Sequence, residues 1–389
     1  MTSIFIIYTC YKSIMKCILC WTFLSCSTAF TAVANYNINH GLSRLYVHQD
    51  TSSELPCFET KEAYEKYLMD ASALPKGFAT GSAIGKFIPD EAPMKGYLPI
   101  KGTVIYLTNG PTNNWAAVFT QNKFPGSPIK VGKARLSSGK PIQAIVINNK
   151  ISNVCSGGDG VANAELVCAA VAKELNLPGG AESVLPSSTG VIGWRLPAKA
   201  LAEEVVPAAI KNLQTISAFT AARDIMTTDR YPKLRSKTLS NGARIVGIAK
   251  GAGMIEPNMA TMLSYIMTDL NVEKSTLQSM LVEAVNASYN SISVDGDEST
   301  SDTVVLLSSS LISKDDNSDS LLKEFRDALN DITRGLAADI VRNGEGTGHV
   351  IKVSVKNFPG TGLEARRLGR HVVNSPLFKC AVSGESCFK

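Results

Sequence analysis

Two apolar runs, residues 244–249 and 262–267, flank Lys250-Gly-Ala-Gly-Met-Ile-Glu-Pro-Asn-Met-Ala-Thr261. Each run is bounded by turn formers and has the length of a strand. The connection holds two glycines, which allow close backbone approach, and Pro257, which restricts the turn. Thr261 is therefore expected at the start of a strand, in a constrained bend. Taken alone, the pattern is a hairpin loop with a threonine at a strand start, and nothing in it demands chemistry.

The rest of the chain is read around that hairpin. Helical periodicity predicts helices over 61–73, 161–175, 198–213, 275–289 and 321–342, and Pro207 argues for a break in the third. Strand-like runs lie at 103–108, 116–120, 144–148, 303–308 and 350–355, whereas the glycine-rich stretch 77–85 reads as a loop. A chain of 389 residues supports one large domain or two packed lobes. Strands and helices alternate without a regular βαβ cadence, so the expected class is α+β in layers rather than doubly wound.

Composition narrows the chemistry. A net charge of +5 without a basic block gives no nucleic-acid footprint. The four histidines are His40, His48, His349 and His371, and neither of the last two has a nucleophile motif nearby. A Ser-His-Asp machine or a histidine-rich metal site is therefore not expected. Nine scattered cysteines show no zinc-ligand spacing in the body and are read as free thiols. A catalyst with few histidines needs another base, and a free α-amino group, with a pKa of about 7.7–8.0, is one. Placed beside its own hydroxyl, an N-terminal threonine can use that amine to take the proton during attack.

The first 49 residues contain no Asp or Glu. Lys12 and Lys16 precede a short apolar run at 17–24, and small residues follow at Ser25, Ser27, Thr28 and Ala29. This reads as a signal-peptide-like leader over 1–29 rather than a membrane anchor. The junction Ser27-Thr-Ala-Phe-Thr-Ala32 is similar to the cleavage motif of proteins sent to complex plastids, so 30–60 is read as a transit segment. The expected destination is an organelle, a plastid first and a mitochondrion as the alternative, with no membrane association in the mature form.

Lys250–Leu263 resembles the signature Lys-Gly-x-Gly-Met-Ile-x-Pro-Asn-Met-Ala-Thr-Met-Leu of the ornithine acetyltransferase (ArgJ) family. Further blocks occur in family order. Ser187-Ser-Thr-Gly-Val-Ile-Gly193 is similar to the oxyanion-hole segment, Met226-Thr-Thr-Asp229 to a Thr-Thr-Asp motif and Gly344-Glu-Gly346 to a substrate-contacting block. Residues 292–303 resemble another block, read as structural support for the site; as a calcium loop counted from Asp295 the stretch fails, with Thr300 where Gly is required and Leu306 where Glu is required.

The resemblance implies a layered α/β/β/α sandwich of the ArgJ and self-processing aminopeptidase type. It implies self-cleavage between Ala260 and Thr261 into fragments 61–260 and 261–389. Thr261 would then be the nucleophile, Thr189 and Gly190 the oxyanion hole, and Thr227 (with Thr228 as rival), Lys250 and Glu345 substrate-binding residues. The implied substrates are N2-acetylornithine and glutamate, with acetyl-CoA as a co-substrate in some members. No metal or tightly held cofactor is implied, and the two fragments are expected to assemble as a heterotetramer.

Two stretches depart from the family pattern. Residues 148–157 differ from the usual Asn-Ser-Gly block, and the chain stops at Lys389 where members continue. The C-terminal fragment is accordingly expected to be incomplete. The alternatives are a self-processing amidase or aminopeptidase of the related fold, and a truncated remnant that no longer turns over.

Overall fold

The structure is a computed structural model describing residues 4–11, 29–35, 44–50, 58–256, 262–313 and 318–383. In chain order the strands are β1 (Ile4–Tyr11), β2 (Ala29–Asn35), β3 (Arg44–Asp50), β4 (Phe78–Phe87), β5 (Leu98–Leu107), β6 (Trp115–Phe119), β7 (Ala144–Asn148) and β8 (Val184–Ser188). They continue with β9 (Lys233–Thr238), β10 (Arg244–Lys250), β11 (Leu263–Leu270), β12 (Ile292–Ser293), β13 (Thr303–Ile312) and β14 (Thr347–Lys356). The helices are α1 (Lys61–Ala71), α2 (Ser127–Ser138), α3 (Gly160–Glu174), α4 (Ala198–Ala200), α5 (Val206–Lys211) and α6 (Phe219–Asp224). The last four are α7 (Lys274–Ala287), α8 (Ser318–Arg342), α9 (Gly362–Asn374) and α10 (Pro376–Ser383).

Two sheets form the centre, one in the order β6-β13-β11-β10-β9 and one in the order β4-β5-β7-β8. Between them Ile105, Ile145 and Leu185 of the smaller sheet meet Val246, Tyr265 and Val305 of the larger in one buried cluster. The far face of the larger sheet packs on α7 and α8 through Ile245, Ile266, Leu277, Leu281, Phe325 and Ile332. The far face of the smaller sheet packs on α3 and α5 through Val104, Val146, Cys168, Val171, Val206 and Ala209. The result is the expected α/β/β/α sandwich.

The layering explains the local sequence. β7 and β11 are buried along their whole length, as strands covered on both faces must be, and so are mostly apolar rather than alternating. In α8, Leu321, Phe325, Leu329, Ile332 and Leu336 recur at three- and four-residue spacing and build one inward stripe. The turn at Leu201–Val205 widens into a π-helix just before Pro207, which lacks the N–H that a regular helix would use there.

One expectation is corrected. Residues 77–85 are not a loop: Phe78 to Phe87 form β4, paired antiparallel with β5 along its full length. The helical layer lies directly on this strand, so a Cβ added at Gly81 would stand 2.2 Å from the Ala209 carbonyl oxygen. Its glycines serve close packing rather than turning.

A third sheet, β12-β1-β14-β2-β3, pairs the N-terminal strands with β14.

Candidate active site

The strand registers place the site. β10 and β11 pair so that Lys250 lies opposite Leu263, and residues 251–262 connect them. Ala260 and Thr261 lie outside the described residues, with 257–259; both ends of the connection, Lys250 to Glu256 and Met262, are described. In the other central sheet, β7 and β8 run parallel with Asn148 opposite Ser188, so both strands end at the same level. Tyr265 ties the two sheets together here by donating its hydroxyl hydrogen to Ser187 Oγ at 2.7 Å.

The chain leaves β8 in a tightly held bend. Ser188 Oγ donates to Asn148 Oδ1 at 2.6 Å, and Thr189 N–H donates to the Asn148 carbonyl at 3.0 Å. Val191 N–H donates to the Lys150 carbonyl at 2.8 Å. Between them Gly190 has φ +131°, and a Cβ there would stand 2.1 Å from the Lys150 carbonyl carbon. Gly190→Ala therefore has no relaxed conformation. It should cost at least about 2 kcal/mol, seen as a lower unfolding midpoint, and should displace the bend.

Lys250 brings the two sheet ends together. Its ammonium is buried, and Nζ donates to Thr189 Oγ1 at 3.3 Å. Lysine is a pure donor, so the hydroxyl accepts this bond and keeps its own proton for another acceptor. Among the described residues nothing accepts from the Gly190 N–H either. The hydroxyl of Thr189 and the backbone N–H of Gly190 are thus two adjacent donors left for a ligand oxygen, the arrangement an oxyanion requires.

A buried ion pair supports Lys250 from below. Lys233 Nζ donates to Asp229 Oδ1 at 2.6 Å and to Asn343 Oδ1 at 2.9 Å, and both charged side chains are fully shielded from solvent. Asp229 Oδ1 also accepts from Gly251 N–H at 2.7 Å, and Oδ2 accepts from Thr227 N–H at 3.1 Å. Burial is the largest single influence on the Asp229 carboxyl and opposes ionisation. Lys233, Lys250 and the hydrogen bonds together outweigh it and hold the group well below the usual carboxylate range. Burial pulls the Lys250 ammonium below the usual lysine range, with Asp229, Asp302 and Glu345 acting against that shift.

Of the residues singled out from sequence, Thr189, Gly190, Lys250 and Glu345 gather in this region. Glu345 N–H donates to the Ala252 carbonyl at 2.8 Å, and its carboxylate acts on Lys250. Thr227 is exposed and connects to the cluster through Asp229. The block 292–303 supports the connection directly. Asp295 accepts from Met254 N–H at 2.5 Å and from Ile255 N–H at 2.8 Å, and Asp302 Oδ1 accepts from Met262 N–H at 2.6 Å. Sequence reasoning missed Lys233 and Asn343 altogether. They carry no motif and reach Asp229 only through the folded chain.

Residues 94–387 match the model of the ArgJ family. The arginine biosynthesis bifunctional protein ArgJ of Thermotoga neapolitana is 41% identical over 277 residues, which cover 69% of this chain and 68% of that protein. The mitochondrial ArgJ bifunctional protein of Talaromyces marneffei is 36% identical over 359 residues, covering 88% of this chain and 72% of that protein. Among solved structures, the ornithine acetyltransferase of Mycobacterium tuberculosis, complexed with ornithine, aligns at 28% identity with a TM-score of 0.41, over 48% of this chain and 95% of that one. Matched by the family model over most of its length, and 36–41% identical to these two relatives, this chain belongs to the ArgJ family.

Proposed function

We propose that the chain is a glutamate N-acetyltransferase of arginine biosynthesis that cleaves itself before Thr261 and moves acetyl from N2-acetylornithine to glutamate. The observation that carries this reading is the Lys250–Thr189 hydrogen bond, which joins the end of the signature strand to the oxyanion bend.

The steps follow from the donors available. The Thr261 hydroxyl attacks the acetyl carbonyl carbon while its proton passes to the Thr261 amine. Thr189 Oγ1–H and Gly190 N–H hold the oxygen that becomes negative. The tetrahedral intermediate collapses, the C–N bond to ornithine breaks, and the proton on the amine goes to the leaving nitrogen. In the second half the glutamate amine attacks the acetyl-Thr261 ester, and the threonine oxygen leaves and recovers a proton. Glu345 offers a carboxylate to a substrate ammonium, Lys250 a cation to a substrate carboxylate, and exposed Thr227 a hydroxyl at the rim. No step calls for a cofactor, and acetyl-CoA would enter as an alternative acetyl donor to Thr261.

The deciding experiment incubates purified protein with N2-acetylornithine and glutamate and maps its fragments by mass spectrometry. N-acetylglutamate formed by a protein whose second fragment begins at Thr261 is the expected result. Free acetate without transfer would favour a hydrolase, and normal cleavage without turnover would favour a remnant. Thr189→Val should lower kcat by about 10²–10³-fold, the loss typical of one oxyanion donor, with KM little changed; Thr189→Ser should restore most of it.

Two further readings belong with this function. Two copies of each fragment are expected in the assembly, measurable as native mass. The acid-free N-terminus directs the chain to an organelle, with a plastid favoured from the Ser27–Ala32 junction, part of which lies outside the described residues. A fluorescent fusion to residues 1–60 would report the compartment.

A further inference from the structure

Lys101 lies in one row with the oxyanion bend. β5 and β7 pair antiparallel with Gly102 opposite Asn148, and β7 and β8 pair parallel with Asn148 opposite Ser188. One residue further on, Lys101, Asn149 and Thr189 stand side by side. Lys101 N–H donates to Asn149 Oδ1 at 2.9 Å, and Asn149 N–H donates to the Lys101 carbonyl at 3.2 Å, which fixes the row. A Cβ on Gly102 would meet Val205 of the helical layer, so Lys101, on the opposite face, points between the two sheets. Its Nζ donates to Asp224 Oδ1 at 2.9 Å, at the end of α6. From there the chain passes Met226, whose carbonyl accepts from Asn149 Nδ2 at 3.1 Å, and reaches Thr227 and Asp229, the residue that accepts from Gly251 N–H. The segment 224–229 therefore links Lys101 to the Lys250 end of the site.

Neither member of the Lys101–Asp224 pair is saturated. The Lys101 side chain is partly exposed, and an ammonium keeps further donors after giving one to Asp224. Asp224 Oδ1 accepts from Lys101 and, at 3.4 Å, from Arg223 Nε, whereas Oδ2 accepts no hydrogen bond among the described residues. A partly solvated ion pair of this kind is weak enough to exchange partners. One cation and one carboxylate oxygen thus stand ready for a ligand at the same place.

We propose that Lys101 and Asp224 are specificity-determining residues that serve the two substrates in turn: Asp224 receives the side-chain ammonium of acetylornithine, and Lys101 the side-chain carboxylate of glutamate. This rests on the acetyl-transfer reading above. That reaction passes two amino acids through one site, alike in their α-carboxylate and opposite in side-chain charge. A single fixed charge would attract one and repel the other, whereas a pair that opens to either sign accepts both. Two strand spacings put Lys101 about 10 Å from Thr189 along the row. With the acetyl oxygen at Thr189 and Gly190, the far end of either side chain lies six bonds from the acetyl carbon, about 7 Å when extended. The flexible stem of Lys101 spans the remainder. When glutamate occupies Lys101, Asp224 keeps Arg223 as its counter-charge.

The test measures kcat/KM separately for each substrate, because in a ping-pong reaction each value reports only its own half. Lys101→Met keeps the apolar stem and leaves Asp224 paired with Arg223, so the variant should fold. Its kcat/KM for glutamate should fall about 10–100-fold, the worth of a hydrogen bond to a charged group, while that for acetylornithine holds or rises. Lys101→Arg should recover most of the glutamate value. Asp224→Asn, which still offers Lys101 an oxygen, should show the reverse, a loss of the same size for acetylornithine with glutamate spared. A pair that merely ties α6 to β5 would depress both values together. That outcome, or no change in either value, would overturn the assignment and leave the acetyltransferase reading standing. A wild-type chain that transfers no acetyl would overturn both. Should Asp224→Asn not fold, the two Lys101 variants decide alone, by whether the loss is confined to glutamate.

Discussion

Thr261→Ala should yield a single uncut polypeptide with no measurable acetyl transfer. In the proposed mechanism both reactions ask the same atom to attack a carbonyl: the Ala260 carbonyl during maturation and the acetyl carbonyl during turnover. Alanine removes that atom, and without cleavage the α-amine that serves as base never forms. The loss is therefore of nucleophile and base together, and such paired losses reach about 10⁶-fold in kcat. Gel mobility and N-acetylglutamate formation read the two effects separately. Thr261→Ser, which keeps a hydroxyl and would free an amine, should retain both reactions at reduced rates. Acetyl transfer by an uncut Thr261→Ala chain would remove the basis of the mechanism.

How far the sequence anticipated this site depended on how local each interaction is. β10, β7 and α3 could be read directly, because burial on one or both faces leaves an apolar pattern within a few residues. β4 could not: its glycines look like loop residues until α5 is known to rest on them, and that contact spans well over a hundred positions of chain. The signature Lys250–Leu263 and the bend at Thr189 and Gly190 were visible as motifs, but the bond between Lys250 and Thr189 is a product of two sheets ending at one level. Asp229 was noticed only as the last residue of a Thr-Thr-Asp motif. Its partner Lys233 sits four residues away in non-helical chain, where that spacing implies no contact, and Asn343 arrives from the end of α8. Asp302 lay inside a block read as support. Its bond to the Met262 N–H joins two strands that only the fold makes neighbours, which no residue pattern encodes.

The other large effect concerns stability. Asp229→Ala should destabilise the protein by about 3–5 kcal/mol, because it leaves the Lys233 ammonium buried without its counter-charge. The Gly251 and Thr227 N–H groups lose their acceptor in the same step. Lys250 loses the carboxylate that most strongly favours its charged form. The pH dependence gives the change a signature. In the wild type the Asp229 carboxyl is held below its unfolded value, so its stabilisation is complete above the ordinary carboxylate range, about pH 4, and is lost as pH falls through the lower folded value. The variant should lack that acid-side loss. At the alkaline end the sign reverses. Lys250 already has a lowered pKa, and without Asp229 it should fall further. A lysine held below its unfolded pKa destabilises most at low pH and recovers as it sheds its proton, so the variant should regain part of its deficit as pH rises. Denaturant unfolding between about pH 2 and pH 10 measures both limbs. A constant deficit across that range would show that Asp229 acts by packing alone, and that the charge of Lys250 is not set by the ion pair beneath it.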